Sequence, residues 1–404
     1  MKIALFTEVY QPIVNGVVAS VDALARELGN AGHEAYMFAP HIPHGAETSG
    51  RVFRMPSLPL PSRSQYRLTL PLVARRNKRR FLSRCDVIHS HSLFITGWMA
   101  SYYARHRFRV PLVFTYHTML DNYAHYSPLG QRLTAQLTRE LTRSYANAAD
   151  AVIVPTEAAA AQLRSQDVTA PICIVPTGID IDAFRNVGPG EAASVRRKFG
   201  IGVDAPVVLL VSRLAHEKSV PVVFRAFASL LRRLPTARLL LVGSGPLEEA
   251  LKAEISFGDL RQSVSFAGSV LPDELPAYYA AADVFAFPSV TETQGLVLAE
   301  AFAAALPVVA IDTPQTREVF GAHLAGMLVP DADAMAQALY ALLSNAERRI
   351  AAGAHARAAA APFAAAAPAS RVLAVYRTVI QNRGGSGQGG GFDSLFAART
   401  AGSE

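Results

Sequence analysis

At 404 residues the chain exceeds what one hydrophobic core usually supports, so two domains are expected, and half of its residues are apolar. Its two cysteines, Cys85 and Cys173, argue against a disulfide framework and for a reducing cytosol, and no run of about 18 apolar residues offers a membrane span. The net charge of +7 is uneven: residues 1–110 hold 15 Lys or Arg against 6 Asp or Glu, a balance of +9, which leaves −2 for the remainder.

The opening Met-Lys-Ile-Ala-Leu-Phe-Thr-Glu reads as a first strand, too short in its apolar part for a signal peptide. It leads through Pro12-Ile-Val-Asn15-Gly16 into a helix over residues 17–28. Gly16 there lets a phosphate or sugar approach the backbone. Further strands begin near Glu34, Asp86, Val110, Ala151 and Ile172, with a helix over residues 131–147. In the second half strands begin near Pro206, Ala237, Ser263, Asp283, Pro307 and Gly326. Continuous apolar runs alternating with helices indicate an α/β protein with parallel sheets covered on both faces. Ligands then bind beyond the carboxyl ends of the strands.

From Arg51 to Arg84 there are ten basic residues and no acidic one. Its core, residues 68–82, is an apolar-basic helical candidate. Arg75, Arg76, Lys78, Arg79 and Arg80 suit anionic head groups, and Leu72, Val73, Phe81 and Leu82 suit an acyl boundary. A merely solvated basic helix is the bland alternative. Nucleic acid is disfavoured, because no aromatic-basic interleaving or recognition motif accompanies the charge. His89-Ser-His91 invites a metal reading, but no Cys or acidic ligand set stands with it. His117, in Thr115-Tyr-His117-Thr-Met, follows another strand, where a lone histidine is more often a core residue.

Residues 176–184, followed by the Gly/Pro-containing 188–190, read as an interdomain linker. After the strand Leu209-Leu-Val-Ser, a loop carries Arg213 and Lys218 five apart. A guanidinium fork and a compact ammonium together suit a leaving diphosphate. The richest stretch is Pro288-Ser-Val-Thr-Glu292-Thr293-Gln294-Gly295-Leu296-Val-Leu-Ala-Glu300. It places Glu292 in a strand-to-helix loop and Glu300 inside the helix, at most about 12 Å away. One carboxylate can take sugar hydroxyls and the other ribose hydroxyls, while amides of the helix start face an anion. Two glutamates at this spacing alone are weak evidence.

Taken in order, these motifs resemble a family 4 retaining glycosyltransferase of GT-B fold, over about residues 2–380. The resemblance implies two Rossmann-like doubly wound parallel-sheet domains facing across a cleft, with the last helix crossing back to the first. The expected boundaries are an acceptor and membrane-docking domain at 1–178 and a linker at 179–205. A nucleotide-sugar domain at 206–365, a crossover helix at 366–383 and a disordered tail at 384–404 follow. By resemblance His117 contacts the donor sugar; Arg213, Lys218 and Glu292 act in catalysis. The donor contacts are Gly16, Arg213, Lys218, Glu292, Thr293, Gln294, Gly295, Leu296 and Glu300. Tyr123 and Tyr126 join the basic helix as acceptor or membrane residues.

No cofactor or metal is expected beyond the nucleotide-sugar co-substrate, and the mechanism implied is front-face substitution with retention. The string around His117, with Asn15-Gly-Val-Val and Glu292-Thr-Gln-Gly, looks most like the subgroup that glycosylates diacylglycerol. Ser219 and Glu8 depart from it, where Asn or Gly and Asp are commoner. The expected reaction is glucose transfer from UDP-glucose to diacylglycerol on the inner face of the cell membrane. Competing readings are a GDP-mannose-dependent mannosyltransferase acting on phosphatidylinositol, a sugar-nucleotide epimerase of the same fold, and a non-catalytic binding protein.

Overall fold

The computed structural model describes residues 1–43, 50–60, 63–71, 76–119, 130–256 and 260–384. Leu72, Val73, Arg75, Tyr123, Tyr126 and the tail from 385 onward lie outside the described residues, as does the side chain of Arg76. The chain divides into two compact units, one joining residues 1–178 to the segment from 365 onward, the other spanning Ile179–Ala364.

In the first unit the strands are β1 (Lys2–Phe6), β2 (Glu34–Pro40), β3 (Val52–Met55), β4 (Ser57–Leu60), β5 (Arg63–Thr69), β6 (Val87–Ser90), β7 (Leu112–Thr115), β8 (Ala151–Val154) and β9 (Ile172–Ile174). Seven form a parallel sheet in the order β3-β2-β1-β6-β7-β8-β9, and β4 and β5 form an antiparallel hairpin. Side chains of β1 alternate between two cores, Ala4 and Phe6 in one, Ile3 and Leu5 in the other. A strand buried on both faces has no polar side to show, which is why these runs are continuously apolar. The helix Ala366–Gly384 completes the second of those cores with Val372, Leu373, Val375, Tyr376 and Val379.

The second unit has β10 (Val207–Val211), β11 (Arg238–Val242), β12 (Val264–Phe266), β13 (Val284–Phe287), β14 (Val308–Ile311) and β15 (Gly326–Val329), ordered β12-β11-β10-β13-β14-β15 and parallel throughout. Numbered within the unit, that is 3-2-1-4-5-6, the doubly wound order of dinucleotide-binding sheets. Residues 179–205 are not the free linker expected from their Gly and Pro content. They fold into the helices Ile181–Arg185 and Pro189–Lys198, and Ile179, Ile181, Val195 and Ile201 enter the unit's core.

The basic helix Arg76–Leu82 also departs from expectation. Lys78 is 7% exposed and its ammonium donates to the Arg54 carbonyl, so it is not a surface cation. Leu82 is fully buried, and the Phe81 ring packs 4.3 Å from Tyr36 and 6.0 Å from Phe53. Positions 78, 81 and 82 share one face of a helix, and this face serves the core. Arg79, Arg80 and Arg84 are exposed.

Candidate active site

In a doubly wound sheet the crevice opens where the strand order reverses, here between β10 and β13, whose register pairs Leu209 with Phe285. Both loops leaving these strands carry expected site residues. Arg213 lies two residues beyond β10, and its guanidinium meets the Glu217 carboxylate at 2.6 Å. Lys218 closes the short turn His216–Lys218 and forms an ion pair with Glu292, which sits beyond β13. The loops are tied together through Glu217, whose carbonyl accepts from Ser289 Oγ at 3.2 Å and Thr291 Oγ1 at 3.1 Å. Ser289 Oγ also donates to Glu292 Oε1 at 3.0 Å. Cations assigned to a diphosphate and a carboxylate assigned to a sugar therefore occupy one connected site. Ser219 follows with φ of 51°, a left-handed conformation that glycine and asparagine adopt at least cost.

Gly295, with φ of 80°, opens the helix Leu296–Ala303. A Cβ there would stand 2.9 Å from the Phe287 ring, so the turn after β13 has no room for a side chain. The first intrahelical bond runs from Leu298 N to the Gly295 carbonyl at 2.9 Å, so the amides of Leu296 and Val297 form the positive end of the helix. Thr293 and Gln294 are buried beneath this turn. Glu300 projects from the helix's second turn, and Tyr279 OH donates to its Oε2 at 2.7 Å. Burial raises the Glu300 carboxyl to about 7, with the Tyr279 bond pulling the other way.

Sequence reading missed three parts of this site: Glu217, Tyr279 and the turn Gly243-Ser244-Gly245. The last carried a legible signal, a Gly-rich turn directly after the apolar run Leu239–Val242. Gly243 has φ of 120°, and a Cβ would lie 2.0 Å from the Ser212 carbonyl oxygen, on the loop that carries Arg213. Leu214 N donates to the Ser244 carbonyl at 3.1 Å, so the turn holds the Arg213 loop from below. Gly243→Ala is expected to cost about 1–3 kcal/mol of stability in backbone strain alone, and to lower turnover by displacing Arg213. Thermal unfolding beside a turnover assay checks this; an unshifted melting temperature would remove the packing role of Gly243.

In the first unit Asn15 caps the helix Gly16–Asn30, accepting from Val18 N at 2.9 Å, and Gly16 takes the first helical position. The corresponding strand reversal lies between β1 and β6. Glu8 sits beyond β1 and accepts from Thr96 N and Thr96 Oγ1 at 2.9 and 2.8 Å, anchoring the start of the helix Ile95–Tyr102. Beyond β6, His91 Nδ1 stands 2.9 Å from His117 Nε2. His89 is held by Tyr376 OH at 2.6 Å and Thr115 Oγ1 at 2.7 Å. Burial lowers all three histidines, His89 to about 3 and His117 to about 4, so His117 is a neutral imidazole near pH 7. The cavity behind His89 and His91 measures about 40 Å³. Among the described residues no group of three or more His, Cys, Asp or Glu is arranged to hold a metal ion.

Residues 14–183 match the model of Glycosyltransferase Family 4, and residues 205–345 that of Glycosyl transferases group 1. The alpha-monoglucosyldiacylglycerol synthase of Streptococcus pneumoniae is 30% identical over 81% of this chain and 75% of its own. The chain belongs to glycosyltransferase family 4. The synthase of the same name from Acholeplasma laidlawii is 31% identical to this glycosyltransferase, over 76% of this chain and 80% of its own. A GDP-mannose-dependent alpha-mannosyltransferase of Mycobacterium tuberculosis is 30% identical over 82% and 84%. Among solved structures, Anabaena HepE in complex with UDP superposes with a TM-score of 0.74, at 21% identity over 94% of this chain and all of that one. Thermosynechococcus elongatus sucrose-phosphate synthase gives 0.75 at 24% identity, over 94% and 99%. The two doubly wound units of this hexosyltransferase are thus those of a GT-B fold, as the order of motifs implied.

Proposed function

We propose that the enzyme transfers glucose from UDP-glucose to 1,2-diacylglycerol with retention of configuration, working as a peripheral protein on the inner face of the cell membrane. The carrying observation is the site at the β10/β13 reversal, where Arg213, Lys218, a helix start and two carboxylates are fitted to a nucleoside diphosphate sugar. In this mechanism the bond from the sugar's anomeric carbon to the phosphate oxygen breaks. The acceptor oxygen bonds that carbon on the same face, and its proton passes to the leaving phosphate oxygen. Arg213, Lys218 and the amides of Leu296 and Val297 meet the charge that develops, which calls for no metal or further cofactor. Glu292 holds the sugar, and Glu300 takes the ribose.

Two relatives named as alpha-monoglucosyldiacylglycerol synthases, each matched over at least three quarters of its length, support the acceptor. The GT-B neighbour solved with UDP-glucose supports the donor. Among the described residues no helix is long and apolar enough to cross a membrane, so reaching a lipid acceptor requires docking at the surface. A second reading, mannose transfer from GDP-mannose, is favoured by the mycobacterial relative.

Incubating the purified protein with diacylglycerol liposomes and a panel of radiolabelled nucleotide-sugars separates the two. Label from UDP-glucose in an α-linked glucolipid is the expected result. Label only from GDP-mannose would replace the donor, and label only in water-soluble products would remove the lipid acceptor.

A further inference from the structure

The loop after β10 puts an acid where the proposed ligand is an anion. Glu217 stands between Arg213 and Lys218, and its side chain is 1% exposed. A carboxylate taken out of water is costly unless a cation and hydrogen bonds compensate it. Arg213 Nη2 meets it at 2.6 Å, while a third of the arginine side chain stays in solvent. The guanidinium is thus held from its buried side and turned outward on the other.

The acid itself is fixed from its own backbone. Glu217 lies in the turn His216–Lys218, which Lys218 N closes on the Ala215 carbonyl at 3.0 Å. Its carbonyl receives Ser289 and Thr291 from the loop after β13. Two loops therefore fix the main chain of Glu217, and its carboxylate projects from a point that cannot drift. A long arginine side chain on a loop has many rotamers, and only a fixed partner of opposite charge selects one of them.

We infer that Glu217 is the positioning residue of the diphosphate site, its carboxylate seating the Arg213 guanidinium before the nucleotide-sugar arrives. The inference rests on the reading of Arg213 as a diphosphate ligand. The seat gives up some attraction for a resting diphosphate, because the ion pairs Arg213–Glu217 and Lys218–Glu292 balance two cations with two carboxylates. What it secures is a donor already aimed when charge moves onto the leaving oxygen, where preorganisation acts most strongly.

Glu217→Gln keeps the shape and removes the charge. It should lower kcat, read as UDP release from UDP-glucose, by about tenfold or more. UDP should nevertheless bind as tightly as to wild type or tighter, because the local charge rises by one. A carboxylate that merely pinned the loop would lose binding and turnover together. In an Arg213→Ala background the same change should cost less than about twofold, since the group it seats is gone. Guanidinium ion should restore part of the turnover of Arg213→Ala and none of that of Arg213→Ala/Glu217→Gln. If Glu217→Gln melts below the assay temperature, Glu217→Asp replaces it. The shorter acid keeps the charge and withdraws it from Arg213, so kcat should fall with no gain in UDP affinity.

Parallel losses of kcat and UDP affinity overturn the inference. So do additive losses in the double variant, and a guanidinium ion that rescues both arginine-less proteins or neither. Wild-type turnover in Arg213→Ala would instead remove the diphosphate reading beneath it. A large loss in Arg213→Ala beside an unaffected Glu217→Gln sinks the seat alone.

Discussion

Lys218→Ala is expected to lower kcat by about a hundredfold or more, the loss typical of removing one donor that stabilises charge in the transition state. The ammonium is mostly shielded from water and lies in an ion pair with Glu292, in the loop layer above the β10/β13 reversal. In such a place a point charge acts on a leaving diphosphate with little solvent screening. Arg213→Ala should lose as much, and Arg213→Lys should not restore it, because a fork that meets Glu217 and is proposed to reach phosphate oxygens has no ammonium equivalent. Lys218→Ala also leaves Glu292 without its counter-charge, so Lys218→Ala/Glu292→Gln should cost less than the two single losses combined. Turnover of Lys218→Ala within about threefold of wild type would take this residue out of the catalytic set.

The second large effect separates the two glutamates. Glu300→Gln should weaken UDP binding, because its proposed partner is the ribose, while Glu292→Gln should spare UDP and damage transfer. Titration calorimetry with UDP decides, and equal losses for both variants would contradict the division. The Glu300 carboxyl adds a pH signature. Its pKa is raised to about 7 in the folded protein, so it holds a proton through the range in which the unfolded chain has lost it. Its contribution to stability is therefore fully present below the ordinary carboxyl pKa and is lost as pH rises through 7. An ionised carboxylate accepts ribose hydroxyls on both oxygens, so UDP affinity of the wild type should climb across that same range. Glu300→Gln should flatten the climb. It should also melt no lower than wild type at pH 8, which separates a lost ligand contact from a damaged fold.

Much of this was legible in the sequence because the chemistry is local there. Arg213 and Lys218, or Glu292 and the helix start after it, follow a strand end closely, and a buried parallel strand announces itself by a continuous apolar run. What escaped was long-range. Tyr279 reaches Glu300 only because the chain between them makes β13 and returns along the helix Leu296–Ala303. The Glu217 carbonyl accepts Ser289 across 72 positions. The basic helix was legible only in part: its charge density does not say which side chains turn inward, and Lys78 and Leu82 do while Arg79 and Arg80 stay exposed.

The helix Ala366–Gly384 has a consequence for how the protein comes to be made. It supplies Val372, Leu373, Val375, Tyr376 and Val379 to a core whose other members begin at Ile3, and Tyr376 holds His89. The unit that starts at the N-terminus thus waits for the last stretch of described chain, while Ile179–Ala364 is complete in sequence before it. On the ribosome the later half can fold first, and the earlier half must be kept from aggregating until residues 366–384 have been made. A chain stopped at Ala364 should accordingly yield a folded second unit attached to a first sheet that lacks the helix covering one of its faces.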